Sequence, residues 1–159
     1  MTFYITAASA DHIHQISDIW HRGWHDAHDG IVPDALRRLR TEESFLTRAK
    51  NRVQDTLVAI SDEGVIGFAM TQQDELNQMY VSEQARGTGV ARALIEAAEA
   101  HLREAGYACA WLACAMGNER AMRFYEKCGW INQGRRPVEV DTQDGPFTLD
   151  VWRYEKRVG

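Results

Sequence analysis

The stretch at residues 80–100, YVSEQARGTGVARALIEAAEA, constrains the fold more than any other: a strand-like run passes through two glycines straight into a long helical pattern. Ala91, Leu94, Ile95, Ala98, Leu102 and Ala105 recur at i, i+3, i+4, i+7 spacing, with Arg92, Glu96, Glu99 and Arg103 on the other side. Gly106 stands where a helix ends on a left-handed residue. A helix N-terminus presents unpaired N–H groups and the positive end of the helix dipole. Glycines ahead of it let the backbone approach a ligand with no Cβ in the way. A phosphate or pyrophosphate is the natural occupant; the alternative is a turn that only joins strand to helix. No Lys-Ser or Lys-Thr follows the glycines, so this is not a P-loop. The turn also lies mid-chain and reads RGTGVA, which does not suit a dinucleotide-binding unit.

The elements around this turn predict one domain over residues 1–159, with no repeat, linker or low-complexity tract. Phe3 and Ile5 alternate with polar residues and suggest a first strand. Ser9 reads as an N-cap before Ile13, Ile16, Trp20, Trp24 and Ala27 at helical spacing, and Asp29 to Pro33 break that helix. Short helices follow to about Lys50. Thr56–Ile60 and Val65–Met70 flank Asp62-Glu63-Gly64, a hairpin signal, and Leu76–Val81 is the next strand. After the glycine-opened helix, CAWLAC at 109–114 is an unbroken apolar run that predicts a strand covered on both faces. A second amphipathic helix carries Ala121, Phe124, Tyr125 and Cys128 and ends at Gly129. Two strands close the chain, around Val138–Val140 and Phe147–Tyr154. The order βαα, three meandering strands, then αβαββ predicts an α/β sandwich on a mixed sheet.

Bulk properties exclude some classes. Apolar residues make up 45% of the chain, but no run approaches the ~18 needed to span a membrane. The start, MTFYITAASA, lacks the features of a secretory signal, so a cytoplasmic location is the expectation. A formal net charge of −5 argues against nucleic-acid binding. It suits a cationic small substrate, although solubility alone explains it as well. Cys109, Cys114 and Cys128 fall in no CxxC spacing and read as reduced, mostly buried thiols; a nucleophilic role needs a His or a helix N-terminus beside one of them.

Two motifs carry a resemblance. MYVSEQARGTGVARALIEAAE is similar to the acetyl-CoA binding motif of the GNAT superfamily of N-acetyltransferases, Arg/Gln-x-x-Gly-x-Gly/Ala. Arg86, Gly89 and Ala91 fit it in register with the strand ending at Val81, while Gln84, Gly87 and Gly89 fit two residues early. Downstream, NERAMRFYEKCGW resembles the second motif of that family through Asn118, Ala121, Phe124, Tyr125, Glu126, Lys127 and Gly129, with Trp130 where Phe is commoner. VWRYEK looks like the family's final strand. The likeness runs from about Asp55 to the end, and Glu83 departs from it where many members carry Pro.

The resemblance implies a central mixed, mostly antiparallel sheet splayed between strands 4 and 5 and flanked by helices. It implies acetyl-CoA as co-substrate, no metal, and often a homodimer. The cofactor would be held by Met79, Tyr80 and Val81 along the strand, by Arg86, Gly87, Thr88, Gly89, Val90 and Ala91 in the loop, and by Asn118 and Tyr125. The family's chemistry is direct acetyl transfer to an amine with no acyl-enzyme, and its motif tyrosine, here Tyr125, protonates the leaving thiolate. The alternative for Tyr125 is a core aromatic, and Asn118 could equally cap its helix. A primary amine in water is an ammonium and must lose a proton before attack. Glu75, sharing a face with Asn77 and Met79 by alternation, is the expected base, with Asp74 its rival and a solvated strand end the alternative. His21, His25 and His28, spaced i, i+4, i+7, could share a metal, but no nearby Cys or Glu completes a set. In the family the first helices wall the acceptor pocket, which assigns Trp24, His25, His28 and Asn77 to the substrate; Asp26, Asp29 and Asp34 would then favour a cation. An acyl-CoA sensor of the same fold without turnover is the second reading; a missing tyrosine or broken loop would mark it, and both are intact.

Overall fold

The computed structural model describes residues 2–159. Seven strands form one sheet in the order β1-β2-β3-β4-β5-β7-β6, comprising β1 Tyr4–Ala7, β2 Thr56–Ser61, β3 Gly64–Gln72, β4 Glu75–Val81, β5 Cys109–Ala115, β6 Ile131–Val140 and β7 Phe147–Arg157. Every neighbouring pair is antiparallel except β4 and β5, which are parallel and share one register point, Glu75 opposite Trp111. Five α-helices flank the sheet: α1 Ile13–His28, α2 Asp34–Leu39, α3 Glu42–Asn51, α4 Val90–Glu104 and α5 Glu119–Lys127.

Two apolar clusters sandwich the sheet. On one face α4 contributes Leu94, Ile95, Ala98 and Leu102, which pack with Ala69, Leu76, Leu112 and Tyr154. On the other, Ile16, Trp20 and Trp24 of α1 pack with Leu36, Phe45, Val58, Phe68 and Met70. The helix ends follow their local chemistry. At the end of α4, Gly106 takes φ +98°, Tyr107 N–H donates to the Leu102 carbonyl and Gly106 N–H to that of Arg103, so the last carbonyls are satisfied. Asn118 caps α5 by accepting from Ala121 N–H at 3.4 Å.

Two expectations need correction. β5 is not covered on both faces: Ala110, Leu112 and Cys114 are buried, but Cys109 and Ala113 are exposed. Trp111, between them, is half-covered by the Arg153 guanidinium 4.4 Å from its ring. The thiols are mostly buried, as expected, Cys114 and Cys128 inside and Cys109 outside. Finally, β6 begins at Ile131, seven residues ahead of its expected start at Val138, because a register shift between Asn132 and Arg135 lets a charged segment keep pairing with β7.

Candidate active site: a slot between diverging strands

Beyond Glu75 and Trp111, β4 and β5 diverge. The β4 edge that faces β5 then has no strand partner, whereas its other edge pairs with β3 as far as Val81 opposite Gly67. A slot of about 470 Å³ opens in that gap. Its closed end is pinned twice by Asp74, whose carbonyl accepts from Trp111 N–H and whose Oδ1 accepts from Trp111 Nε1–H, both at 3.1 Å. Asp74 thus has a structural role across the seam, bonded to Trp111.

The expected cofactor residues gather along this slot. Met79, Tyr80 and Val81 line it from β4, Arg86, Gly87, Gly89 and Ala91 from the turn and the start of α4, Asn118 from the cap of α5 and Tyr125 from α5 itself. Thr88 and Val90 do not line it. The Thr88 hydroxyl donates to the Ala85 carbonyl, and Val90 is fully buried in the core. The turn works as its glycines suggested: Gly87 and Gly89 take φ +76° and +88°, and an added Cβ at either would meet no atom within 4 Å. Only part of the loop's backbone is free, however. Arg86 N–H donates to the Glu83 carbonyl and Thr88 N–H to that of Ala85, each at 3.3 Å, leaving the slot-lining amides of Gly87, Gly89 and Ala91 for an anion. Cations ring the same mouth: Arg86, Arg92 and Arg120 line the slot, and Asp26 Oδ2 lies 3.0 Å from Arg86 and 3.7 Å from Arg120.

The side chain of Tyr125 enters the slot from α5 and its hydroxyl has no hydrogen-bond partner among the described residues. Burial pushes its pKa well above the ordinary tyrosine value, so it stays protonated. Tyr154, nearby, is different: it is fully buried and donates to Glu126 Oε2 at 2.6 Å. Cys114 also lines the slot, but burial pushes its thiol up to about 12, which rules it out as a ready nucleophile.

On the opposite side α1 lies close on β4. A Cβ at Gly23 would sit 2.6 Å from Tyr80 Cδ1, so only glycine permits this approach. It brings His28 to the slot wall. His28 Nδ1–H donates to the Trp24 carbonyl at 2.8 Å, which leaves Nε2 with a lone pair, and burial lowers the pKa below 6.5 and keeps the ring neutral. His25, expected beside it, has both ring nitrogens engaged, Nδ1 with Asp29 Oδ1 and Nε2 with the Arg40 carbonyl, each at 2.6 Å. His21 stacks edge-on against His25 with centroids 5.1 Å apart. Trp24 is a core residue. None of these four belongs, among the described residues, to a group of three or more potential metal ligands.

A bulge in β4 overturns the expected alternation. Met70 pairs with Gln78 but Thr71 with Leu76, so Asn77 is an extra residue. Leu76 and Met79 consequently share the α4 face, whereas Asn77 turns the other way and accepts from Arg52 Nη1–H beyond α3. Glu75 therefore keeps company with Asn77 but not with Met79. It does not line the slot; Asn77 does. Burial raises the Glu75 pKa, against a hydrogen bond from Asn77 and the nearby Arg52 charge that lower it. The expected acidic wall is also absent. Asp26 is held by Arg86, Asp29 by His25, and Asp34 lies 3.5 Å from Arg37. Behind Asn77 and Tyr80, which line the slot, stand three arginines that do not line it themselves, Arg40, Arg48 and Arg52; on or beside short helices such residues read as solvated positions.

A mixed sheet split around a slot, with a glycine-opened helix N-terminus at its mouth, defines an acyl-CoA-type transferase fold. The chain belongs to the Acetyltransferase (GNAT) family, whose model matches residues 13–130. It is 34% identical over 89 residues to an uncharacterized N-acetyltransferase of Mycobacterium tuberculosis, a stretch covering 53% of this chain and 57% of that one, so the match spans little more than half of the relative. Solved structures share the fold more fully. A GCN5-related N-acetyltransferase of Rhodopseudomonas palustris superimposes with a TM-score of 0.77 at 18% identity, covering 99% and 96% of the two chains. The PaiA N-acetyltransferase of Thermoplasma acidophilum, in complex with coenzyme A, gives 0.71 at 19% identity over 99% of both.

Proposed function

We propose that this protein transfers an acetyl group from acetyl-CoA directly to a primary amine within a ternary complex. The observation that carries this reading is the slot, which combines an unpaired strand edge, free helix N-terminal amides and an unpartnered tyrosine hydroxyl in one cavity. A pantetheine arm supplies amides that pair with the β4 edge at Met79 and Val81. Its pyrophosphate suits the amides of Gly87, Gly89 and Ala91. Coenzyme A in the Thermoplasma structure and acetyl-CoA in a Salmonella typhimurium acetyltransferase of the same fold support the choice of cofactor. With the thioester in the slot, the amine attacks the acetyl carbon from the α1 side, the C–S bond breaks, and Tyr125 gives its proton to the departing thiolate. The intact loop and tyrosine weigh against a sensor without turnover.

Glu75 is assigned the amine's proton, received through water beside Asn77, and its raised pKa places the acid limb of the rate above the ordinary carboxylate range. One observation favours a second base: the free Nε2 of His28 on the slot wall. Release of free thiol from acetyl-CoA across a panel of amines tests the whole reading; acetyl-CoA binding without thiol release for every amine would refute it. Glu75→Gln and His28→Gln then separate the bases. The true one loses most rate at neutral pH and recovers in part at high pH, where more of the amine is free. The homodimer rests on the family likeness, and light scattering tests it; a cytoplasmic location is proposed beside it, and cell fractionation tests that.

A further inference from the structure

Arg40, Arg48 and Arg52 converge on the α1 side of β4 with more positive charge than the surrounding acids offset. Arg40 is 3% exposed; its Nη1–H donates to the Asp141 carbonyl at 2.6 Å and its Nε has no partner. The Nε and Nη1 of Arg48 are buried with no partner among the described residues, and its guanidinium lies 4.2 Å over the Trp20 ring. Arg52 donates to Asn77 and to Asp141 Oδ2, the latter at 3.0 Å. Among the described residues the Asp141 carboxylate is the only one paired with any of the three, it reaches Arg52 alone, and its side chain is 75% exposed. Glu75, close to Arg52, is the other acid nearby. Burial, and then the charges of Arg40 and Arg52, push Arg48 down to about 9.

Stacking on Trp20 and Phe45 offsets part of this cost, yet a guanidinium carries five N–H donors and stacking satisfies none of them. As filler between aromatic rings, an apolar side chain would serve better. The cluster also adjoins the slot. Asn77, which accepts from Arg52, lines the slot, and so does Tyr80, which lies close enough to Arg48 and Arg40 for their charges to bear on its hydroxyl. Guanidinium forks fit the oxygens of a carboxylate or a phosphate.

We propose that the amine acceptor carries an oxyanion, a carboxylate or a phosphate, which Arg48 receives with Arg40 and Arg52 while the amine faces the thioester. This deepens the transferase reading and rests on it. The cationic acceptor suggested by overall charge is then the wrong class. The acceptor instead joins an amine to an acid group, as in an amino acid or an amino phosphate.

Paired acceptors test this: phenethylamine against phenylalanine, 1-aminobutane against 4-aminobutyrate, and ethanolamine against O-phosphoethanolamine. In at least one pair the acid-bearing member should be preferred by about 10²-fold or more in kcat/KM, since a site built to bond a group rejects the analogue lacking it. Carboxylate and phosphate pairs tell the two oxyanions apart. Arg48→Met should erase the preference. Wild-type protein that acetylates the plain amines as well or better, or an Arg48→Met protein that keeps the preference, overturns the proposal.

A second readout does not need turnover. Protein saturated with acetyl-CoA, so that its cofactor phosphate sites are filled, is melted in rising succinate or inorganic phosphate. Wild type should gain stability with one of them and Arg48→Met should not. No gain in wild type overturns the proposal whatever the turnover. A gain without acetylation of any amine sinks the transferase reading and leaves the anion seat standing. Should Arg48→Met fail to fold, Arg48→Lys keeps the charge but loses the fork, and an undiminished preference there overturns the proposal equally.

Discussion

Replacing Tyr125 by Phe removes one oxygen from the slot and almost nothing from the core. The ring keeps its contacts with Phe124 and Tyr154, whose centroids lie 5.6 and 6.1 Å away. Since the hydroxyl bonds to no other described group, the variant loses no internal hydrogen bond. Its melting temperature should therefore stay within about 2 °C of wild type, the range of an approximately neutral substitution. The chemical step should slow by up to about 10²-fold, the low end of what a placed proton donor contributes, or ~2.7 kcal/mol of barrier. Acetyl-CoA affinity should hold, because the loop amides and strand edge are untouched. Tyr154→Phe is the matched control: it breaks the 2.6 Å bond to Glu126, costing roughly 1.5–3 kcal/mol, or about 3–12 °C, with kcat near wild type. Stopped-flow thiol release and thermal melts of both variants decide the matter. If Tyr125→Phe turns over normally, or if its loss appears in stability rather than rate, the proton comes from elsewhere.

Three further outcomes follow from the same geometry. Gly89→Gln sets a side chain at φ +88°, straining the turn by ~1–2 kcal/mol and filling the open space where a phosphate belongs; acetyl-CoA affinity should fall by roughly tenfold or more by calorimetry, and unchanged affinity would remove the loop from the site. Gly23→Ala drives a Cβ into the Tyr80 ring at 2.6 Å and should cost ~1–3 kcal/mol in urea unfolding, whereas a neutral result would show that α1 is not pressed on β4. The lowered pKa of His28 means that the unfolded chain binds its proton more tightly, so stability should decline as pH falls below 6.5 toward the lowered value; His28→Gln should flatten that decline, and an unaltered slope would show the ring is not buried neutral.

Local signals were legible where one residue type has one physical use. The glycines at 87, 89 and 106 marked positive φ, and Asp62-Glu63-Gly64 marked the hairpin between β2 and β3. Tyr125 of α5 and its cap Asn118, singled out by their motif, both line the slot. The bulge at Asn77 left no such mark, because no glycine or proline announces it, and so Glu75 and Met79 were placed on one face when the backbone separates them. The run at 109–114 misled for another reason. Small apolar residues such as Cys109 and Ala113 can stand at a surface at little cost, so an unbroken run does not guarantee two covered faces. Arg40 and Arg48 were missed because a charged residue on a short helix is ordinarily solvated, and only tertiary packing buries these two.

The single register point between β4 and β5 has a consequence for how the molecule comes apart. The sheet is in effect two antiparallel half-sheets, β1 to β4 and β5 to β7, joined across their seam by Glu75 opposite Trp111 and the two bonds that Asp74 accepts from Trp111. In amide exchange each half should protect its own interior while the seam opens first, a breathing motion well below the free energy of global unfolding. A ligand that pairs with the free β4 edge acts there as a missing strand. At a hundred times its dissociation constant such a ligand would stabilise the fold by about 2.7 kcal/mol, so the integrity of this sheet would then depend partly on the ligand's concentration.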